Sequence, residues 1–205
     1  MSDGSVSVLY VCHANLCRSP LAERLAELAA ARRLPAGGTA GAITFSSAGT
    51  DAYAGDPMHR HAVRVLSEYG ASTRPFFSRR VDPTLLGRAT LVLTATREQR
   101  AHCVRAAPAI VRRAFTLREF GRLCGAVGEA DLPAEQSAER AVALVDAAAA
   151  ARGRFQPVPA HQDDLADPVA RPLDAFRTCA GEVWSVLSVI TGLLIADPAA
   201  RAHSR

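Results

Sequence analysis

Five residues separate Cys12 from Arg18 in the segment Cys12-His13-Ala14-Asn15-Leu16-Cys17-Arg18-Ser19-Pro20, and the two side chains suit one kind of chemistry. The segment follows an apolar run with strand character and precedes a stretch with helical spacing. A loop in that position presents several backbone N–H groups and the positive end of a helix dipole, which together cradle an anion. Arg18 adds a planar fork of donors matched to phosphate oxygens. A cysteine at the mouth of such a cradle is expected to be thiolate in part or in full at neutral pH, because helix end and guanidinium both favour the charge. A thiolate held beneath a bound phosphate is a nucleophile aimed at phosphorus. Cys-x5-Arg alone is a weak signal in a chain with five Cys and 24 cationic side chains. Its placement between strand and helix, with Ser19-Pro20 next, gives it weight.

Those groups have to be positioned by the elements around them. Ser5 to Val11 (SVSVLYV) is short and rich in β-branched residues, and reads as a buried strand. From Ser19 the sequence LAERLAELAAARR has helical spacing, with Leu21, Leu25 and Leu28 on one face and Glu23, Arg24 and Glu27 expected in water. Pro35, Gly37, Gly38 and Gly41 predict a loop, and Ile43 to Ser47 a second strand. His59 to Tyr69 is amphipathic, with Gly70 a suitable stop. Ala89 to Thr96 and Arg113 to Leu117 are further strands, with Arg97 to Ala106 helical between them. Ala134 to Ala151 is a strong helix former flanked by Gly and Pro, which gives it the look of an insertion. Leu173 to Ala196 predicts a last apolar helix covering the sheet. Alternating strands and helices imply an α/β fold: a single domain over residues 1–205, an open parallel sheet of about four strands with helices on both faces (Rossmann- or flavodoxin-like), and a helical insertion at about 125–160.

Composition narrows the function classes. At 205 residues, 49% hydrophobic and 21% charged, the chain is of ordinary globular make-up. Every cationic side chain is Arg; with the heavy use of Ala, this reads as codon bias. The net charge of +4 attracts anions weakly, but the Arg are scattered and aromatics amount to 5%, so no nucleic-acid partner is expected. The longest apolar stretch, Val183 to Ala196, is interrupted by Ser185, Ser188, Thr191 and Gly192 and is too short for a bilayer, so no membrane role is expected. The N-terminus lacks the basic start and long apolar core of a signal peptide, and five Cys is an odd number; a reduced, cytoplasmic protein is expected. The six His show no metal-ligand spacing.

VLYVCHANLCRSPLAE (Val8 to Glu23) closely resembles the signature loop of the low-molecular-weight protein tyrosine phosphatases. Ser47-Ala48-Gly49-Thr50 is similar to that family's second loop, and Asp164-Leu165-Ala166-Asp167-Pro168 to its late Asp-Pro motif ahead of a final helix. The motifs come in the family's order and span nearly the whole chain. The resemblance implies a metal-independent phosphomonoester hydrolase, with phosphotyrosine in proteins as substrate, inorganic phosphate as product and no cofactor. Position by position, it implies Cys12 as the nucleophile that forms a cysteinyl-phosphate and Arg18 as the clamp on the equatorial oxygens. Ser19 would hydrogen-bond the sulfur, and Asn15 would hold the shape of the phosphate loop (residues 12–18) through Ser47. Asp167 would protonate the leaving oxygen and then deprotonate the attacking water. Asp163 and Asp164 are rival acids, and an N-terminal cap of the last helix is the alternative role for Asp167. His13 and His161 read as loop residues. Bacterial members of the family are often paired with tyrosine kinases of polysaccharide export.

The chain also departs from that pattern. Ala14 stands where the family usually has Gly, and fits if the backbone there avoids positive φ. Val169-Ala170 replace the aromatic residues that commonly follow Asp-Pro, leaving Tyr53 and Val169 as candidate walls for the substrate ring. Phe76-Phe77-Ser78-Arg79-Arg80 has Phe where a loop-supporting His is frequent. Cys17 is a candidate redox partner for Cys12, or a small loop-filling side chain. Two other readings share the loop. One is an arsenate reductase, which would need a resolving thiol such as Cys103 or Cys124 near Cys12; the other is a phosphate-binding module without catalysis.

Overall fold

The computed structural model describes residues 5–33, 43–134 and 138–195. Four parallel strands, β1 (Val6–Cys12), β2 (Ile43–Gly49), β3 (Leu91–Thr94) and β4 (Ala114–Thr116), lie in the order β2-β1-β3-β4. The helices are α1 (Arg18–Arg33), α2 (Arg60–Tyr69), α3 (Pro83–Arg88), α4 (Arg97–Ala106), α5 (Leu117–Cys124), α6 (Ala138–Arg152), α7 (Ala160–Asp163) and α8 (Leu173–Leu194). Among the described residues, no helix is long and apolar enough to cross a membrane.

β1 is the central strand, and its near-continuous apolar sequence follows from being covered on both faces. Val6, Val8, Tyr10 and Cys12 point into the larger core, which they share with α1, α2, α5, α6 and α8. Leu9 and Val11 point the other way, into a smaller core with α3 and α4. With this strand order the chain leaves β1 towards β2 and later returns past β1 to β3. The C-terminal end of β1 is therefore the switch point at which open α/β sheets bind ligands. The Cys12–Arg18 loop starts there.

The expected strands form within a few residues of their predicted limits, and so do the helices from α1, α2, α4 and α8. Gly70 ends α2 in the left-handed conformation at φ 73°. The Ala89–Thr96 strand is shorter than expected because Thr96 leaves the sheet to cap α4, its side chain accepting from the Gln99 N–H. The helix expected over Ala134 to Ala151 is described as Ala138–Arg152, residues 135–137 lying outside the described residues, and it buries Leu144, Val145 and Ala148 in the larger core. The Pro35–Gly41 loop lies outside the described residues. One expectation fails. Glu23 and Arg24 are buried rather than in water, because α1 packs against β1, β2, α2 and α8 and has no broad solvent face in its first turns.

Three helices were not foreseen, α3, α5 and the short α7, although the caps of the first two were written in the sequence. Asp82-Pro83 starts α3, with the Asp82 carboxylate accepting from the Leu85 N–H. Thr116-Leu117-Arg118-Glu119 is a capping box that starts α5 directly after β4.

Candidate active site

The loop after β1 is held by its carbonyls. The Cys12 and His13 carbonyls accept from the Thr50 and Asp51 N–H groups at 2.9 and 3.0 Å, and the Leu16 carbonyl from His59 at 3.0 Å. By contrast, none of the N–H groups from His13 to Cys17 donates a hydrogen bond among the described residues. Donors left in this state are open to an acceptor, and a loop of them at the start of α1 is a cradle for an anion. Arg18, its side chain 5% exposed, borders the cradle with its Nε buried and without a partner. Asn15 sits at φ 57°, the only non-glycine among the described residues at positive φ. Asn tolerates this conformation better than most residues. Ala14 is not among the positive-φ residues, which is the condition under which Ala can replace Gly there.

A chain of hydrogen bonds leads from Cys12 into the core. Ser19 Oγ lies 2.9 Å from Cys12 Sγ. Asn15 Nδ2 donates to Ser19 Oγ and Ser47 Oγ, both at 3.0 Å, and Ser47 Oγ donates to Glu23 at 2.5 Å. Asn15 Oδ1 accepts from the Arg79 N–H at 3.0 Å, and Arg79 Nε donates to the Ser47 carbonyl at 2.8 Å. The Ser19 oxygen thus already accepts from Asn15, and its one hydrogen has two acceptors within reach, the Cys12 sulfur at 2.9 Å and the Ala48 carbonyl at 3.2 Å. Burial pushes the Glu23 carboxyl up, against the pull of the Ser47 hydrogen bond and of Arg24. Arg79 and Glu23 were missed in the sequence; here they brace the loop through Asn15 and Ser47, in a chain that has Phe where a supporting His is frequent in the resembling family.

The three candidate acids take different places. Asp163 is buried, and bonded to Arg97 and Arg122. Asp164 accepts from the Arg97 N–H at 2.8 Å. Asp167 is the one that meets the loop: its Oδ2 accepts from Arg18, and its Oδ1 from the Val169 N–H at 3.2 Å. Asp167 does not cap the last helix, whose N-cap is Pro172. Arg18 also donates to the Leu165 carbonyl at 3.1 Å, so cradle and acid segment share a guanidinium. Over this pair opens a cleft of about 340 Å³, lined also by His13, Thr50, Gln99 and His102. Tyr53 and Val169 are both exposed, three and two residues from the cleft residues Thr50 and Asp167. His161 is exposed and serves through its carbonyl, which accepts from Arg118.

All five cysteines are free and buried. Burial, then the negative charges of Asp167 and Cys12, push the Cys17 thiol up to about 12. Burial does the same to Cys103 and Cys124, also to about 12. Cys103 lies in α4 within the smaller core, across the sheet from Cys12. Cys124 ends α5, about 10 Å along the helix from the edge where it begins. The structure brings neither to the loop. No three His, Cys, Asp or Glu side chains among the described residues are grouped to hold a metal ion.

Residues 7–149 match the family described as "Low molecular weight phosphotyrosine protein phosphatase". The Ralstonia nicotianae protein named "Probable low molecular weight protein-tyrosine-phosphatase EpsP" is 29% identical over 114 residues, 56% of this chain and 72% of that one. YfkJ of Bacillus subtilis, a low molecular weight protein-tyrosine-phosphatase by name, is 36% identical over 77 residues, covering 37% of this chain and 47% of its own. Among solved structures, the YwlE arginine phosphatase from Geobacillus stearothermophilus is similar in fold, with a TM-score of 0.65 at 24% identity and 98% of each chain covered.

Proposed function

The chain belongs to the low molecular weight phosphotyrosine protein phosphatase family, a family of cysteine-based phosphatases, and from that premise we propose that it hydrolyses phosphotyrosine in proteins through a cysteinyl-phosphate on Cys12. The observation that carries this reading is the set of donors at the end of β1: the unpaired N–H groups of His13 to Cys17 and the unpaired Arg18 Nε, gathered at the Cys12 loop.

In the first step Cys12 Sγ attacks phosphorus as the bond to the leaving oxygen breaks. The loop N–H groups and Arg18 take up the charge on the equatorial oxygens, which is greatest in the transition state. Asp167, half-exposed beside Arg18, gives its proton to the departing oxygen. In the second step Asp167 takes a proton from water, the water oxygen attacks phosphorus, and Cys12 leaves as thiolate. Ser19 donates its hydroxyl hydrogen to that sulfur and lowers the cost of its departure. No step draws on a metal or an organic cofactor. Five free cysteines suit a reducing, cytoplasmic compartment.

The test is hydrolysis of p-nitrophenyl phosphate without added metal by the wild type, Cys12→Ser and Asp167→Asn. Turnover abolished in the first variant and slowed but measurable in the second is the expected result. A wild type that turns over phosphoarginine peptides in preference to phosphotyrosine peptides would move the substrate assignment. A Cys12→Ser variant with wild-type turnover would overturn the mechanism.

A further inference from the structure

Asp167 lies on a segment, residues 164–172, with neither helix nor strand of its own. A general acid has to meet the leaving oxygen within a fraction of an ångström, since a displacement of about 1 Å costs on the order of a hundredfold in rate. Something outside the segment must therefore hold it.

Part of the hold is backbone. The Leu165 N–H donates to the Ala95 carbonyl at 2.8 Å, and the Asp164 carboxylate accepts from the Arg97 N–H at 2.8 Å. The stronger hold is ionic and sits four residues before Asp167. The Asp163 side chain is 7% exposed and receives two guanidiniums. Arg97, the first residue of α4, donates to Oδ2 through Nε at 3.2 Å and Nη2 at 2.6 Å. Arg122, on α5, donates to Oδ1 through Nη1 at 2.6 Å. Arg97 Nη2 also reaches the Val158 carbonyl at 2.5 Å, so the same guanidinium ties down the chain entering α7. Both oxygens of Asp163 are thus occupied, each by a helix that begins at the C-terminal edge of the sheet, α4 after β3 and α5 after β4. Burial pushes the Asp163 carboxyl up, but the hydrogen bonds from Arg122 and Arg97 outweigh it and hold it below the usual carboxylate range. An exposed pair would contribute little. A buried, doubly bonded carboxylate between two helices is a fixed point.

We propose that Asp163, clasped by Arg97 and Arg122, is a positioning residue for the reaction: it anchors the acid segment to α4 and α5 so that Asp167 is presented to the leaving oxygen. This rests on the reading of Asp167 as general acid, and the test separates the two.

The experiment is kcat/KM for two aryl phosphates, p-nitrophenyl phosphate and phenyl phosphate, with the wild type, Asp163→Asn, Asp167→Asn and the double variant. kcat/KM reports the first phosphoryl transfer, where the acid acts. p-Nitrophenolate departs with little help from an acid, whereas phenolate needs its proton. Asp163→Asn is therefore expected to lose about ten- to a hundredfold on phenyl phosphate and less than about threefold on p-nitrophenyl phosphate, within the range general acids supply. Adding Asp163→Asn to Asp167→Asn is expected to change the phenyl phosphate value by less than about twofold, because a residue that acts through Asp167 has nothing left to act on. A merely structural role would lower both esters alike and would multiply in the double variant; either result overturns the clasp. Should Asp163→Asn fail to fold, Arg122→Gln, which leaves Arg97 in place, is expected to show the same split between esters, and equal losses overturn the clasp. A wild type inactive on both esters overturns the phosphatase reading and the clasp with it. An active wild type with an indifferent Asp163→Asn overturns the clasp alone.

Discussion

Gly49, at the end of β2, is a glycine for reasons of space, and Gly49→Ala tests how rigidly the cradle is built. A Cβ at this position would lie 2.3 Å from the His13 carbonyl oxygen, 2.8 Å from the Asn15 nitrogen and 3.0 Å from the Ala14 carbonyl carbon. All three are backbone atoms of the anion loop, so no side chain can swing away. To reach even 3.0 Å from the His13 oxygen, strand or loop must retreat from 2.3 Å. The strand is held by the Gly49 N–H on the Arg79 carbonyl at 2.9 Å and the Val81 N–H on the Gly49 carbonyl at 2.8 Å. The loop is held by the Thr50 and Asp51 N–H groups on the Cys12 and His13 carbonyls. Overpacking of this kind costs about 1–3 kcal/mol, which for a chain of this size lowers the melting temperature by roughly 2–12 °C. Displacing the loop by most of an ångström also misplaces its donors, and kcat/KM for p-nitrophenyl phosphate should fall about ten- to a hundredfold. Gly87→Ala is the control. Gly87 lies in α3 with nothing within 4 Å of an added Cβ and no positive φ, so the variant should be active and as stable as the wild type, or more so by up to about 1 kcal/mol. A Gly49→Ala protein with wild-type melting temperature and turnover would refute the claim that the loop cannot yield.

Ser19→Ala removes the hydroxyl beside the Cys12 sulfur; a hydrogen bond to a charged group contributes about 1.5–3 kcal/mol. Breakdown of the cysteinyl-phosphate should therefore slow by about ten- to a hundredfold in pre-steady-state kinetics, and an unchanged rate would remove Ser19 from the mechanism. Iodoacetate at neutral pH should carboxymethylate Cys12 first, with inorganic phosphate protecting it, because burial holds the thiols of Cys17, Cys103, Cys124 and Cys179 up at about 12. Peptide mapping that finds Cys17 labelled as fast as Cys12 would contradict this. The Asp163 carboxyl is held below its unfolded value, so its stabilisation is complete above the ordinary carboxylate range and fades as pH falls through the folded value. The gap in melting temperature between wild type and Asp163→Asn should accordingly shrink below about pH 4; a gap constant down to the acid limit would show that the charge is irrelevant.

What could be read from the sequence was what local pattern controls. The apolar run of β1, the spacing of α2 and α4 and the Gly70 stop each declare themselves within a dozen residues. The Cys12–Arg18 loop was legible for the same reason, since strand, loop and helix are contiguous and their combined chemistry needs no partner from afar. Asn15, Ser19 and Ser47 came from resemblance, and the structure brings all three into one chain of hydrogen bonds with Cys12. What was not legible depends on packing between distant segments. Glu23 looked like a solvent-facing helix residue because an isolated helix has a wet side; α1 is enclosed, and Glu23 receives the Ser47 hydroxyl instead. Arg79 joins the loop from 64 residues beyond Asn15, and nothing in the Phe76–Arg80 sequence says which of its two Arg turns inward. The choice of Asp167 over Asp163 and Asp164 came from its place before Pro168 in the resemblance; that its carboxylate meets Arg18, a contact across 149 residues, is what the sequence does not show.

The most direct test of the account is to trap the enzyme during turnover. Wild-type protein mixed with p-nitrophenyl phosphate and quenched in acid within milliseconds should carry one phosphate, and peptide mass spectrometry should place it on the peptide containing Cys12. Turnover with the phosphate on another residue, or with none on the protein at any time, would contradict a mechanism through Cys12.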